Sequence, residues 1–205
     1  GVNVFYSTGS ARVNVRDPIT LTLQRQVTAA LQRQNARMIT QVVKSTPDFR
    51  TEPVEAAYIG YCHPDVENDI RNATGFIPTK QYGTVTPYEN ELGAIERVRY
   101  LTSTIAASIT GAAGTTGNFT TSSAAAAIIN TASYVDVYPV LYLARDAFGL
   151  VPLKGENSLS PMVVNPKPAP GDPLAQRGTV GWKTYHASVI LNDAWMARLE
   201  VAALS

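Results

Sequence analysis

The stretch "EPVEAAYIGYCHPDVENDIRN" (52–72) joins an apolar, aromatic run to a cluster of one cysteine, one histidine and several acids. Within it, "AAYIGY" (56–61) is too short and too aromatic for a buried helix and reads as a buried strand. Pro64 ends that strand and suits the first position of a short helix, where its missing N–H costs nothing. Asp65, Glu67 and Asp69 in the opening turns oppose the positive end of the helix dipole, and Arg71 sits near the negative end. Val66 and Ile70 form the apolar stripe, and Gly75 can close the helix.

The same cluster can be tested as a reactive site. On a helix Asp65 and Asp69 share a face, but Glu67 is rotated by about 200° from Asp65, so the three acids do not converge on one ion. As a calcium loop the alternation supplies three ligands, yet Ile70 stands where a glycine is required and Phe76 where the closing glutamate should be. A Cys62, His186, Asp193 triad has no local support, and His63, adjacent to Cys62, points away from it on a strand end. His186 reads as a strand residue packed near Trp182. One cysteine and two distant histidines do not make a structural zinc tetrahedron. "GAAGTTG" (111–117) lacks both the spacing and the lysine of a phosphate loop, and "NAT" (72–74) and "NFT" (118–120) match only the short glycosylation sequon. No catalytic, cofactor-binding or metal-binding residue is therefore expected, and neither a cofactor nor a small-molecule substrate.

Outward from this stretch, Asp17-Pro18 looks like a helix opening, and Leu23, Val27, Ala30 and Leu31 recur on one face of an amphipathic helix of roughly four turns. A loop containing Pro47 and Pro53 comes next. Residues 72–94 read as a loop with brief structured pieces, and "RVRYLTST" (97–104) as a strand. Between Tyr100 and Val135 no residue is charged, and 109–127 is almost entirely Gly, Ala, Thr and Ser. Such an insert is either a flexible linker or rests on its own domain or a neighbouring subunit.

In "YVDVYPVLYLARDAFG" (134–149), Val135, Val137, Leu141 and Leu143 share one face of a strand and Asp136, Tyr138 and Tyr142 the other. Pro139 inside it points to an edge position or a bulge. Six of the 13 prolines lie between Pro152 and Pro173, which predicts an extended surface loop. Val180, Trp182, Thr184, His186 and Ser188 alternate with their neighbours, Asn192-Asp193 supplies a turn, and Trp195, Ala197, Leu199 and Val201 form a second alternation. The pattern predicts a long C-terminal β-hairpin with one buried face.

The 205 residues, 45% hydrophobic and 16% charged, suffice for a real core in one or two units. A net charge of +1 gives no electrostatic footprint for grasping nucleic acid or an anionic membrane. Cys62 is the single cysteine, so no internal disulfide can form. The longest aliphatic run, Ala124 to Ile129, is far short of the ~20 residues that cross a bilayer, and no signal segment opens the chain. It reads as soluble, with no membrane partner. Gly1 in place of Met suggests a piece of a longer polypeptide.

Residues 52–72, with "NVFY" (3–6), "GFIP" (75–78), "ELGAIERVRY" (91–100), "VDVYPVLYLARDAFGLVPL" (135–153) and "DPLAQRGTVGWKTYHASVILNDAWMARLEVA" (172–202), resemble in that order the C-terminal part of tailed-bacteriophage major capsid proteins. Residues 103–133 have no clear counterpart and look like a variable insert. The family shares its shell fold with encapsulins and the floor of herpesvirus capsids. The resemblance implies an α+β chain with a mixed or antiparallel sheet flanked by helices, lacking the N-terminal arm, extended loop and spine helix, Gly1 falling just after the spine. Residues 1–17 would lead in from the peripheral domain. Residues 18–175 would form the axial domain, including the 103–133 insert and the 152–173 loop, and 176–205 the returning strands.

By the same resemblance the chain would be a non-enzymatic virion protein of phage or prophage origin. It would self-assemble into pentamers and hexamers of an icosahedral shell around double-stranded DNA, held non-specifically. Scaffold, portal and decoration proteins would be its further partners, and assembly would take place in the bacterial cytoplasm. The rival readings are an encapsulin-like cellular shell protein and a Cys/His hydrolase.

Overall fold

A computed structural model describes residues 3–43, 51–83, 87–113, 129–131, 134–152, 159–168, 171, 174–184 and 186–204. In chain order its elements begin with β1 (Asn3–Tyr6), α1 (Leu21–Arg33), β2 (Ile39–Val43), β3 (Thr51–Cys62), α2 (Glu67–Asn72) and β4 (Phe76–Pro78). Then come β5 (Glu91–Ile95), β6 (Val98–Thr102), β7 (Asn130–Thr131), β8 (Tyr134–Val135) and β9 (Tyr138–Leu143). The last are β10 (Phe148–Pro152), β11 (Leu159–Val164), β12 (Thr179–Thr184), β13 (His186–Ile190) and β14 (Met196–Val201). Single 3₁₀ turns include 64–66, which leads into α2, and 193–195. The chain divides into two units, residues 1–147 with 192–205, and residues 148–191.

Unit 1 is built on an eight-stranded mixed sheet in the order β1-β14-β9-β3-β6-β5-β4, with β2 paired to β3. The β1–β14 and β3–β6 pairs are parallel and the others antiparallel. Fold class α+β is thus what the strands and the two helices form. Residues 3–6, expected to be part of a lead-in segment, are a strand of this sheet.

The helices cover one face. Val27 and Leu31 of α1 and Val66 and Ile70 beside and within α2 pack with Tyr58, Cys62, Val98, Tyr100, Tyr138, Val140, Tyr142 and Leu199 into the main core. Burial of this apolar face, at roughly 25 cal/mol per Å², is what holds helix to sheet. A smaller core gathers Val15, Ala113, Val135, Val137 and Ala202.

Local chemistry sets the ends of α1. Thr20, not Asp17, is the N-cap: its hydroxyl accepts from the Leu23 N–H at 3.4 Å. Asp17 instead accepts from the Thr8 hydroxyl at 2.6 Å. At the other end Asn35 takes a left-handed φ of 55°, and the Ala36 N–H reaches back to the Leu31 carbonyl, a Schellman closure in which asparagine does what glycine usually does.

Strand β3 runs through Pro53, which pairs with Gln41 of β2 rather than lying in a loop. Gly60 pairs with Tyr100 on one side and Tyr142 on the other. A Cβ at Gly60 would lie 2.9 Å from the Tyr100 ring, so the missing side chain lets the two tyrosines close over the strand edge to face, at an interplanar angle of 79°.

In strand β9 the expected alternation holds: Tyr138, Val140 and Tyr142 are buried, whereas Leu141 faces solvent. Tyrosines fill the core there because their hydroxyls find partners, Asp65 for Tyr138 and Tyr100 for Tyr142. Pro139 is not on an edge strand, since β9 lies between β14 and β3. Strand β3 pairs only with Leu141–Leu143, so Pro139 lies beyond the ladder on that side.

The expected C-terminal hairpin does not form. Strand β13 pairs with β10 and β12 with β11, while β14 pairs with β9 and β1. Part of the predicted 152–173 loop is strand: Pro152 ends β10, and Leu159–Val164 form β11. Residues 192–195 return the chain to the main sheet instead of turning a hairpin.

Candidate functional site

The reactive side chains of the 52–72 stretch are engaged within their own unit. Cys62 is fully buried, its thiol directed at the Leu101 carbonyl 3.6 Å away. Burial, with a smaller contribution from the Glu67 charge, pushes that thiol up to about 12, so it stays protonated and unreactive. His63 turns the other way, its ring centroid 5.5 Å from that of Tyr138 and its Nδ1 accepting from the Asp65 N–H at 3.2 Å. Asp65 accepts from the Tyr138 hydroxyl at 2.8 Å, Asp69 from the Leu204 N–H at 3.1 Å, and Glu67 pairs with Arg71. The three acids have three separate partners, as their angular spacing requires.

His186 belongs to unit 2 and its side chain lies outside the described residues, as does most of "GAAGTTG" and the whole of "NFT". Among the described residues no three His, Cys, Asp or Glu side chains group as metal ligands. No described helix is long and apolar enough to cross a membrane. A cleft of about 290 Å³ opens between residues 18–21 and the 69–74 segment.

Of the uncharged insert, residues 103–113 rest on their own unit. Ile109 bridges to Val137, Ala113 is buried in the smaller core, and the Gly111 N–H donates to the buried Asp136 carboxylate at 2.7 Å. Residues 114–128 lie outside the described residues.

Two buried ionic arrangements stiffen unit 1. Arg99 and Glu91 form a bidentate pair with both contacts at 2.7 Å, almost fully enclosed. The Arg99 guanidinium lies 4.3 Å from the Tyr88 ring centroid, and the Tyr82 hydroxyl and Tyr88 N–H both donate to the Glu91 carboxylate. This holds the approach to β5 against β6. Glu200, also enclosed, receives the Arg12 fork at 2.7 Å and ties the segment after β1 to β14.

The feature that asks for a partner is unit 2. In the β10–β13 ladder Phe148, Leu150 and Ile190 share one face and Val151 and Val189 the other. In the β11–β12 ladder Val163, Val180 and Trp182 share a face opposite Met162 and Val164. All are largely exposed, Val180 at 77% and Trp182 at 71%. Lys183 is the single Lys, Arg, Asp or Glu in the four strands. A two-stranded ribbon is marginal alone, and its unpaired edges and apolar faces are what proteins usually blunt with charge unless they are used for association. The alternation in 180–189 signals a ribbon face; which surface covers it lies outside the pattern.

No protein-family model matches the sequence, and a search of curated proteins finds no relative. Among solved structures the chain is similar to the capsid of Ralstonia phage GP4, at a TM-score of 0.63 and 11% identity, over 100% of this chain and 53% of the other. This is a phage-capsid fold. The capsid-fold chain spans about half the length of that relative. The cyanophage P-SCSP1u capsid (TM-score 0.48, 17% identity, 98% of this chain and 53% of the other) and the head of Helicobacter pylori bacteriophage KHP40 (0.48, 10%, 98% and 61%) were also found.

Proposed function

We propose that this chain is the C-terminal portion of a phage major capsid protein, a non-enzymatic wall element that self-assembles into the pentamers and hexamers of an icosahedral shell around double-stranded DNA. The observation that carries the reading is the agreement of the whole chain with a phage capsid subunit at a TM-score above the level of chance folds. In this reading residues 18–175 form the axial domain, residues 1–17 lead in from the peripheral domain and 176–205 supply the returning strands, and the apolar faces of the 148–191 ribbon are covered by neighbouring copies. Scaffold, portal and decoration proteins, a virion location and assembly in the host cytoplasm belong to the same proposal. The net charge of +1 suits a wall that must not pin packaged DNA, since each neutralised phosphate strengthens binding. The enclosed, protonated Cys62 counts against the Cys/His hydrolase.

The test is electron microscopy of the expressed parent protein, alone and with Val180→Glu plus Trp182→Glu. Closed shells from the parent and free subunits from the variant are expected. A parent that stays monomeric with every accessory gene present would sink the proposal, and normal shells from the variant would remove the ribbon from it.

A further inference from the structure

His63 is placed so that one nitrogen faces two claimants. Its Nδ1 lies 3.2 Å from the Asp65 N and 3.1 Å from Asp65 Oδ2. A ring nitrogen carries either a lone pair or a proton, so it can accept from the amide or donate to the carboxylate, never both. With the lone pair present, the amide at the start of the 64–66 turn is capped, and the carboxylate oxygen opposes the lone pair. With a proton present the carboxylate contact becomes a charge-assisted hydrogen bond, and the amide loses its acceptor.

We propose that His63 is a proton-operated cap on the turn that joins β3 to α2. Neutral His63 carries its proton on Nε2 and caps the Asp65 N–H. A solvent proton then adds to Nδ1, the Nδ1–H donates to Asp65 Oδ2, and the Asp65 N–H is released.

The surroundings make the exchange felt beyond the turn. Asp65 Oδ2 already accepts from the Tyr138 hydroxyl of β9, so protonated His63 and Tyr138 share one oxygen. The other acidic groups of this region are Glu67, held by Arg71, and Asp136, whose charge bears on Tyr138. The ring keeps about a fifth of its surface exposed, enough for protons to reach it. Val66, next in the turn, is fully buried against the sheet, so a change in the turn is transmitted to the core face.

The experiment is a pH series of histidine side-chain ¹⁵N spectra and amide hydrogen exchange on the whole chain, with His186→Gln used for assignment. In mild alkali Nδ1 should be unprotonated and Nε2 protonated, and the Asp65 amide protected. On acidification the Asp65 amide resonance should move with the midpoint of His63, and its exchange protection should fall about tenfold or more. His63→Asn, a neutral cap of good quality, should keep the amide protected throughout. A proton on Nδ1 in alkali, or an Asp65 amide indifferent to the His63 titration in the unaltered protein, would overturn the proposal. Both readouts concern the isolated chain, so failure here leaves the shell proposal untouched.

Discussion

Tyr100 donates from its hydroxyl to Gln24 Oε1 at 2.9 Å, and the hydroxyl of Tyr142 lies 3.0 Å from that of Tyr100. Gln24 Nε2 in turn donates to the Ile95 carbonyl at 2.8 Å, so a closed chain of buried polar groups links α1 to β5, β6 and β9. Every member is enclosed. Burial pushes the hydroxyls of both tyrosines upward and keeps them protonated.

That chain makes Gln24 sensitive to replacement. Gln24→Leu takes the amide from the Ile95 carbonyl, at about 1–3 kcal/mol, and leaves the Tyr100 hydroxyl with Tyr142 alone, whereas Tyr142→Phe removes one neutral hydrogen bond worth about 0.5–1.5 kcal/mol. Urea denaturation should rank Gln24→Leu as the more damaging. The reverse order would show that the helix is seated by apolar packing alone.

Glu91→Gln should cost about 3–5 kcal/mol, because Arg99 is left charged and enclosed. The paired replacement Glu91→Leu with Arg99→Met should recover much of that loss. A double-mutant cycle reads the coupling directly, and additive single effects would contradict the enclosed-pair account.

Asp69 gives a pH dependence of stated sign. Burial raises its carboxyl above the ordinary range, opposed in part by the Leu204 N–H. An acid whose folded pKa is raised binds more protons when folded, so its contribution is best below the unfolded value and declines as pH rises through the folded one. Asp69→Asn keeps an oxygen for Leu204 and takes no charge. Thermal unfolding should find it more stable than the unaltered protein at neutral pH, with the difference closing in acid.

Cys62 should resist thiol reagents at neutral pH until the core opens, with labelling that tracks denaturant. Rapid modification of the folded protein would revive a reactive role for it.

The local features were legible in the sequence. Helix α1 announced itself through Val27 and Leu31, and the junction from β3 to α2 through Pro64, because period and punctuation are properties of neighbouring residues. What escaped were choices made at a distance. Trp182 and Val180 alternate as any half-buried strand does, and nothing in that alternation says that β12 pairs with β11 instead of folding onto β14. Which face of β9 is buried was also out of reach: Tyr142 lies in the core because a tyrosine can be buried once a partner such as Tyr100 is present, and that partner lies on another strand. For the candidate site, the spacing of Asp65, Glu67 and Asp69 already excluded a shared ion, whereas the exposed ribbon required the pairing to be seen.

The Asn192 N–H donates to the Ala147 carbonyl at 3.2 Å, so the chain leaves unit 1 and returns to it at neighbouring points. An excursion whose two roots are already stitched together is a cassette: its length and contents can change without any strand of the main sheet being moved. Replacing residues 148–191 by a short glycine linker should therefore leave a folded unit 1. The main sheet and the ribbon can then vary independently, one changing while the other is retained.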